Sequence, residues 1–127
     1  MLKPEDKLSR EIIGAAIEVH KYLGPGLLES AYEECLCREL SLRDLPFERQ
    51  KAVPVEYKGV KLDCGYRLDV VVDKLVVLEL KAINALESIH DAQLITYLKL
   101  TGLKLGMLIN FNVPVLKNGI KRIVNGL

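Results

Sequence analysis

The stretch Tyr66-Arg67-Leu68-Asp69-Val70-Val71-Val72-Asp73-Lys74-Leu75-Val76-Val77-Leu78-Glu79-Leu80-Lys81 decides how this chain is read. Its two runs of Val and Leu have the texture of strands buried on both faces, joined by a turn at Asp73-Lys74. Asp69, Glu79 and Lys81 place ionised groups inside those runs, and a charge buried without a partner is strongly destabilising. Glu79 and Lys81 are two residues apart and therefore project from one face of their strand. A two-residue turn would set Asp69 against Leu78 and send it to the opposite face. Convergence of all three requires an odd loop or a bulge, and that register is the expected one. Two carboxylates that meet repel and raise each other's pKa unless a divalent cation lets both stay ionised. Oxygen ligands without sulfur or paired histidines select a hard cation, Mg²⁺ or Mn²⁺, over zinc. Lys81 then orients an attacking water or steadies charge developing on a phosphorane. The acid-x-Lys triplet alone also arises as a plain salt bridge at a strand end, so its weight comes from its place in an apolar hairpin.

The bulk properties leave room for one domain, residues 1–127, with 50% hydrophobic residues to build its core. A net charge of +1 gives no global reason to expect nucleic acid, so such binding must use a local patch. Lys51, Lys58, Lys61, Arg67 and Lys74 lie on or beside the expected strands, interleaved with Glu56, Asp63, Asp69 and Asp73. Cys35, Cys37 and Cys64 cannot all pair and match no zinc or redox spacing, which reads as reduced thiols. The first residues lack the apolar stretch of a signal peptide and no run approaches a membrane span, so the expectation is a cytoplasmic protein without membrane contact.

Around the hairpin, Leu8, Ile12, Ala15, Ala16, Val19 and Leu23 recur at helical spacing and stop at Gly24-Pro25-Gly26, predicting a helix over residues 8–23. A second helix is expected over 28–42, with Leu28, Tyr32, Cys35, Leu36 and Leu40 inward. Residues 47–81 read as three strands in a meander, with turns at Gly59 and Asp73-Lys74 and with Pro54 marking the first as an edge strand. A third helix over 86–101 leads to a buried strand over 105–111, and a tail strand is expected near 120–124. The order α-α-β-β-β-α-β implies an α/β fold with a mixed central sheet flanked by helices.

Some polar residues fall on apolar faces. His90, Gln93 and Tyr97 share a helical stripe with Leu86 and Leu94, opposite Ser88, Ala92 and Lys99, and are expected to face the protein. From there Gln93 and Tyr97 can reach a phosphate, or else serve the core. Gly26, Glu29 and Tyr32 form a Gly-x-x-Glu-x-x-Tyr pattern at the start of the second helix, where an acid also suits the helix dipole. His20 lies just before the glycine corner.

Together, Gly24-Pro25-Gly26-Leu27-Leu28-Glu29-Ser30-Ala31-Tyr32, Asp69, Glu79-Leu80-Lys81, Gln93-Leu94-Ile95-Thr96-Tyr97 and Gly106-Met107-Leu108-Ile109-Asn110-Phe111 resemble the GxxExxY family of the PD-(D/E)XK nuclease superfamily. The resemblance covers nearly the whole chain. It implies a restriction-endonuclease-like core in which Glu29, Asp69 and Glu79 hold Mg²⁺ and Lys81 assists the nucleophilic water. Gln93 and Tyr97, with Tyr32 and His90, become supporting or substrate-binding residues. Leu68 stands where the superfamily name puts proline. The implied activity is metal-dependent hydrolysis of phosphodiester bonds in DNA. The alternative is a non-catalytic module that keeps the fold to bind nucleic acid or a protein partner. A domain this small contacts few phosphates, so affinity for duplex DNA calls for a homodimer or a larger assembly.

Overall fold

The computed structural model describes residues 2–127. Helix α1 (Pro4–Leu23) begins with proline at its first turn and ends at Gly24, whose φ of +66° lies in the region open to glycine. It starts four residues earlier than the apolar periodicity predicts, because Pro4, Glu5 and Asp6 suit a helix N-terminus without contributing to the core. Helix α2 (Glu29–Leu42) packs against α1 and buries Tyr32, Leu36 and Leu40. Leu28, expected inward, is exposed because it precedes the first helical turn.

The segment expected to hold three strands holds five. Strands β1 (Phe47–Ala52), β4 (Arg67–Val72) and β5 (Val76–Lys81) form the antiparallel meander, and β2 (Val55–Tyr57) and β3 (Val60–Leu62) form a separate two-stranded ribbon between β1 and β4. Lys58 and Gly59 both have positive φ, the two-residue turn that matches strand twist, and Pro54 separates the ribbon from β1. Gly59 therefore closes its own hairpin rather than a turn of the main sheet. Helix α3 (Ser88–Thr101) crosses to β6 (Leu105–Asn110), which lies parallel to β5, and a single 3-10 turn (Leu116–Gly119) leads into antiparallel β7 (Ile120–Val124). The sheet order β1-β4-β5-β6-β7 is the expected mixed sheet, with β1 at an edge.

Strand alternation divides the core in two. Val70, Val72, Leu78, Leu80, Met107 and Ile109 pack toward α1 and α2, while Val71, Val77 and Leu108 pack toward Leu94 and Leu98 of α3. Each such side chain contributes roughly 1.5–3 kcal/mol on full burial. Among the described residues, no helix is long and apolar enough to cross a membrane.

Two glycines mark where elements touch most closely. A Cβ on Gly106 would lie 2.9 Å from the Leu94 side chain of α3, and one on Gly119 would lie 2.1 Å from the Asn110 carbonyl oxygen. The first neighbour is a side chain and the second is backbone that cannot yield locally. Gly106→Ala is expected to cost about 1–3 kcal/mol and Gly119→Ala more, as read by urea unfolding; equal midpoints for both variants and the parent would contradict this packing.

Candidate active site

The β4–β5 hairpin sets the site. Val72 pairs with Val76, Val71 with Val77 and Val70 with Leu78, leaving Asp73, Lys74 and Leu75 as a three-residue loop. Asp73 and Lys74 have positive φ, and the Leu75 N–H donates to the Val72 carbonyl at 3.0 Å, so Leu75 is the residue added to a two-residue turn. That extra residue produces the odd register. Continued by one position, the ladder sets Asp69 opposite Glu79. The Asp69 Oδ2 accepts the Leu80 N–H at 2.8 Å, so its carboxylate is fixed against β5.

Glu79 and Lys81 share the α3 face of β5 with Val77, while Leu78 and Leu80 enter the core on the α1–α2 side. Glu79 is buried, Asp69 and Lys81 are half-buried, and Glu79 Oε1 is buried without a hydrogen-bond partner. Burial, and then the facing Asp69 carboxylate, push the Glu79 carboxyl up to about 8, against the opposing pull of Lys81. The pair thus has two ways to relieve its repulsion, a proton on Glu79 or a cation between the acids. A hard divalent cation fits the donors present: carboxylate oxygens, one of them orphaned, with an ammonium beside them.

The other expected residues are placed less uniformly. Tyr97 is half-buried on α3, and burial followed by the nearby Glu79, Tyr66 and Asp69 groups raises its pKa. Its ring lies 6.0 Å from that of Tyr66 at an interplanar angle of 56°. Gln93 is exposed and, with Ala92, lines a groove of about 410 Å³ beside Tyr66 and Tyr97. The expectation that Gln93 faces the protein and Ala92 the opposite side is therefore corrected, since the groove cuts beneath both.

His90 is also corrected. Its Nδ1 accepts the Glu87 N–H at 2.9 Å, closing a capping box at the start of α3, so it serves the helix terminus. Tyr32 is fully buried and touches no substrate. Its hydroxyl donates to the Gly24 carbonyl at 2.6 Å and accepts the Leu27 N–H at 3.2 Å, while its ring stacks on Phe111 at 4.4 Å. The Gly-x-x-Glu-x-x-Tyr pattern is in this respect a clamp on the glycine corner. His20 Nε2 donates to the Val113 carbonyl at 2.8 Å.

Glu29 is exposed in the first turn of α2. Tyr32, one turn on, stacks on Phe111, whose N–H donates to the Lys81 carbonyl at 2.9 Å, so α2 starts at the end of the sheet where Lys81 lies. Among the described residues, however, no group of three or more His, Cys, Asp or Glu side chains is arranged to hold a metal ion. The expected gathering of Glu29 with Asp69 and Glu79 is not formed, because Glu29 projects from a solvent-exposed helix start while the other two face each other across a hairpin.

Two polar residues have structural roles that the sequence does not spell out, although Asn110 stands in the Gly106–Phe111 motif. Buried Asn110, beside Lys81 in the sheet, accepts the Ile83 N–H at 3.1 Å and donates to the Ile83 carbonyl at 3.0 Å, fixing the chain just after Lys81. A polar residue ending an otherwise apolar strand was the available signal. Buried Glu33 accepts from Arg49 Nη2 at 2.8 Å and from Gln50 Nε2 at 2.7 Å, tying α2 to β1. In sequence it is one more acid on a polar helix face.

A family model of the PD-(D/E)XK nuclease superfamily matches residues 6–123. The chain belongs to the PD-(D/E)XK nuclease superfamily. The match spans both helices before the sheet, the hairpin acids and α3, and nucleases of this superfamily generally use divalent metal ions. No characterised protein and no solved structure matches the chain significantly.

Because Glu79 holds its proton more tightly folded than unfolded, folding takes up a proton between the ordinary glutamate pKa and about 8. The metal-free protein is therefore expected to lose stability, by on the order of a few kcal/mol, as pH rises through that window. Glu79→Gln should flatten this part of the profile in thermal melts recorded in chelator; an unchanged slope would contradict the assignment.

Proposed function

We propose that this protein is a metal-dependent nuclease of the GxxExxY type that hydrolyses phosphodiester bonds in DNA, with Asp69 and Glu79 holding Mg²⁺ or Mn²⁺. The observation that carries this reading is the pair itself: two carboxylates set opposite each other, with an orphaned buried oxygen and an ammonium on the same face. The bound ion supplies polarisation of the phosphoryl oxygen and a more acidic water. Asp69, fixed by the Leu80 N–H, keeps one carboxylate oxygen oriented. Lys81 Nζ donates toward the attacking water or a phosphoryl oxygen as negative charge accumulates there. Tyr97, near the acids, and Gln93 line the groove and would hold the backbone of the bound strand. Glu29 acts from the rim of the site, on solvent or substrate entering it, rather than as one of a carboxylate trio.

The lack of a third carboxylate at the pair favours a second reading, a non-catalytic module that retains the fold and binds nucleic acid or a protein partner. Calorimetric titration with Mn²⁺ separates the two. The nuclease reading requires Mn²⁺ binding that Glu79→Ala removes, together with divalent-dependent cleavage of labelled DNA that falls by 100-fold or more, an order of magnitude typical of lost electrostatic catalysis, in both Glu79→Ala and Lys81→Ala. Glu29→Ala should lower cleavage with a smaller effect on Mn²⁺ affinity. Cleavage unchanged in the first two variants would reject the assignment.

A further inference from the structure

We propose that the β2–β3 ribbon and the ring of Tyr66 form an arm that stacks the unpaired bases of a single DNA strand beside the Asp69–Glu79 pair. This rests on the nuclease reading of that pair and names its substrate class. In the ribbon, Val55 faces Leu62 and Tyr57 faces Val60, so alternation gathers all four on one side. Val55 is half-buried against the groove, while the rest of that side is open: Tyr57 is 61% exposed and Val60 is 55% exposed. An isolated two-stranded ribbon with a bare apolar side is marginal in water, and this one continues directly into the groove where Val55, Tyr66 and Tyr97 meet Ile89, Gln93 and Thr96 of α3. The groove, about 410 Å³, is of a size that holds small flat ligands. One of its walls is Tyr97, which lies near the two carboxylates, and Tyr66 lies three residues before Asp69. A base on the Tyr66 ring therefore sits next to the position of the reacting phosphate.

Charge selects the occupant. Lys51 and Arg67 are paired with Glu48 and Asp63, which leaves Lys58 and Lys61 against Glu56 on the ribbon itself, a small positive excess at its exposed end. Lys58 Nζ stands 5.4 Å from the centre of the Tyr57 ring, an ammonium next to an exposed aromatic face. Flat apolar surfaces alternating with cations match a polymer of bases and phosphates. They match a second copy of this chain poorly, since each ribbon would bring the same positive charge to the contact. In a duplex the bases are already stacked and paired, and their faces are not available to Tyr66 or Tyr57.

The test uses the full chain and two fluorescein-labelled probes of equal length, oligo-dT and a blunt duplex, followed by anisotropy in chelator so that neither is cut. The intact protein is expected to bind oligo-dT at least tenfold tighter than the duplex. Tyr66→Ala and Tyr57→Ser should each weaken oligo-dT binding by roughly tenfold, the scale of one lost stacking contact, and Tyr66→Trp should retain it. Thermal melts and Mn²⁺ titration of the same variants report folding and the carboxylate pair separately. Duplex binding as tight as oligo-dT binding, or folded Tyr66→Ala and Tyr57→Ser proteins that bind oligo-dT like the parent, would overturn the arm while leaving divalent-dependent cleavage intact. Loss of oligo-dT binding in these variants of a protein that never cleaves DNA would keep the arm and reject the nuclease reading.

Discussion

One added residue, Leu75, governs the chemistry of this molecule. Without it the β4–β5 hairpin would close on the two residues Asp73 and Lys74, and the Asp69 carboxylate would lie on the α1–α2 face, inside an aliphatic core. With it, Asp69 meets Glu79 on the α3 face, near Tyr97, which lines the groove. The cost falls on buried Glu79, whose carboxyl pKa is raised by burial and by half-buried Asp69 opposite it and whose Oε1 is left without a partner. A repelling pair of this kind costs stability in a sheet, and a bound divalent cation would relieve it.

The surrounding fold serves to hold that pair at the edge of a rigid sheet. Parallel pairing of β5 with β6 aligns Lys81 with Asn110, whose side chain fixes the turn after the strand, and the Phe111 N–H holds the Lys81 carbonyl. Tyr32 then links the start of α2 to the same point through its stack on Phe111. Three elements distant in sequence are thereby fixed around one end of β5.

Much of this was legible in the sequence. The helical periodicity of α1 and α2 and the buried β6 run followed from spacing, because each depends on short-range patterns that burial enforces, whereas the odd hairpin register followed only from requiring the charges of Asp69, Glu79 and Lys81 to converge. The ribbon was not, since Gly59 signals a turn equally well in a main-sheet meander and in a separate hairpin; only long-range pairing distinguishes them. Gln93 and His90 were misplaced for a related reason. A helical stripe tells which residues share a side, but the groove beside Tyr66 and the capping contact of His90 with Glu87 depend on what that side meets. Glu29 illustrates the same limit: a motif can name a residue without showing that its side chain reaches the acids it is grouped with.

The central claim is that Asp69 and Glu79 together hold a divalent cation. Anomalous diffraction from crystals soaked in Mn²⁺ tests it most directly. The account predicts a peak between the two carboxylates, on the α3 side of β5, that disappears in Glu79→Gln crystals. A map with no peak there, or a Glu79 side chain turned away from Asp69, would contradict it.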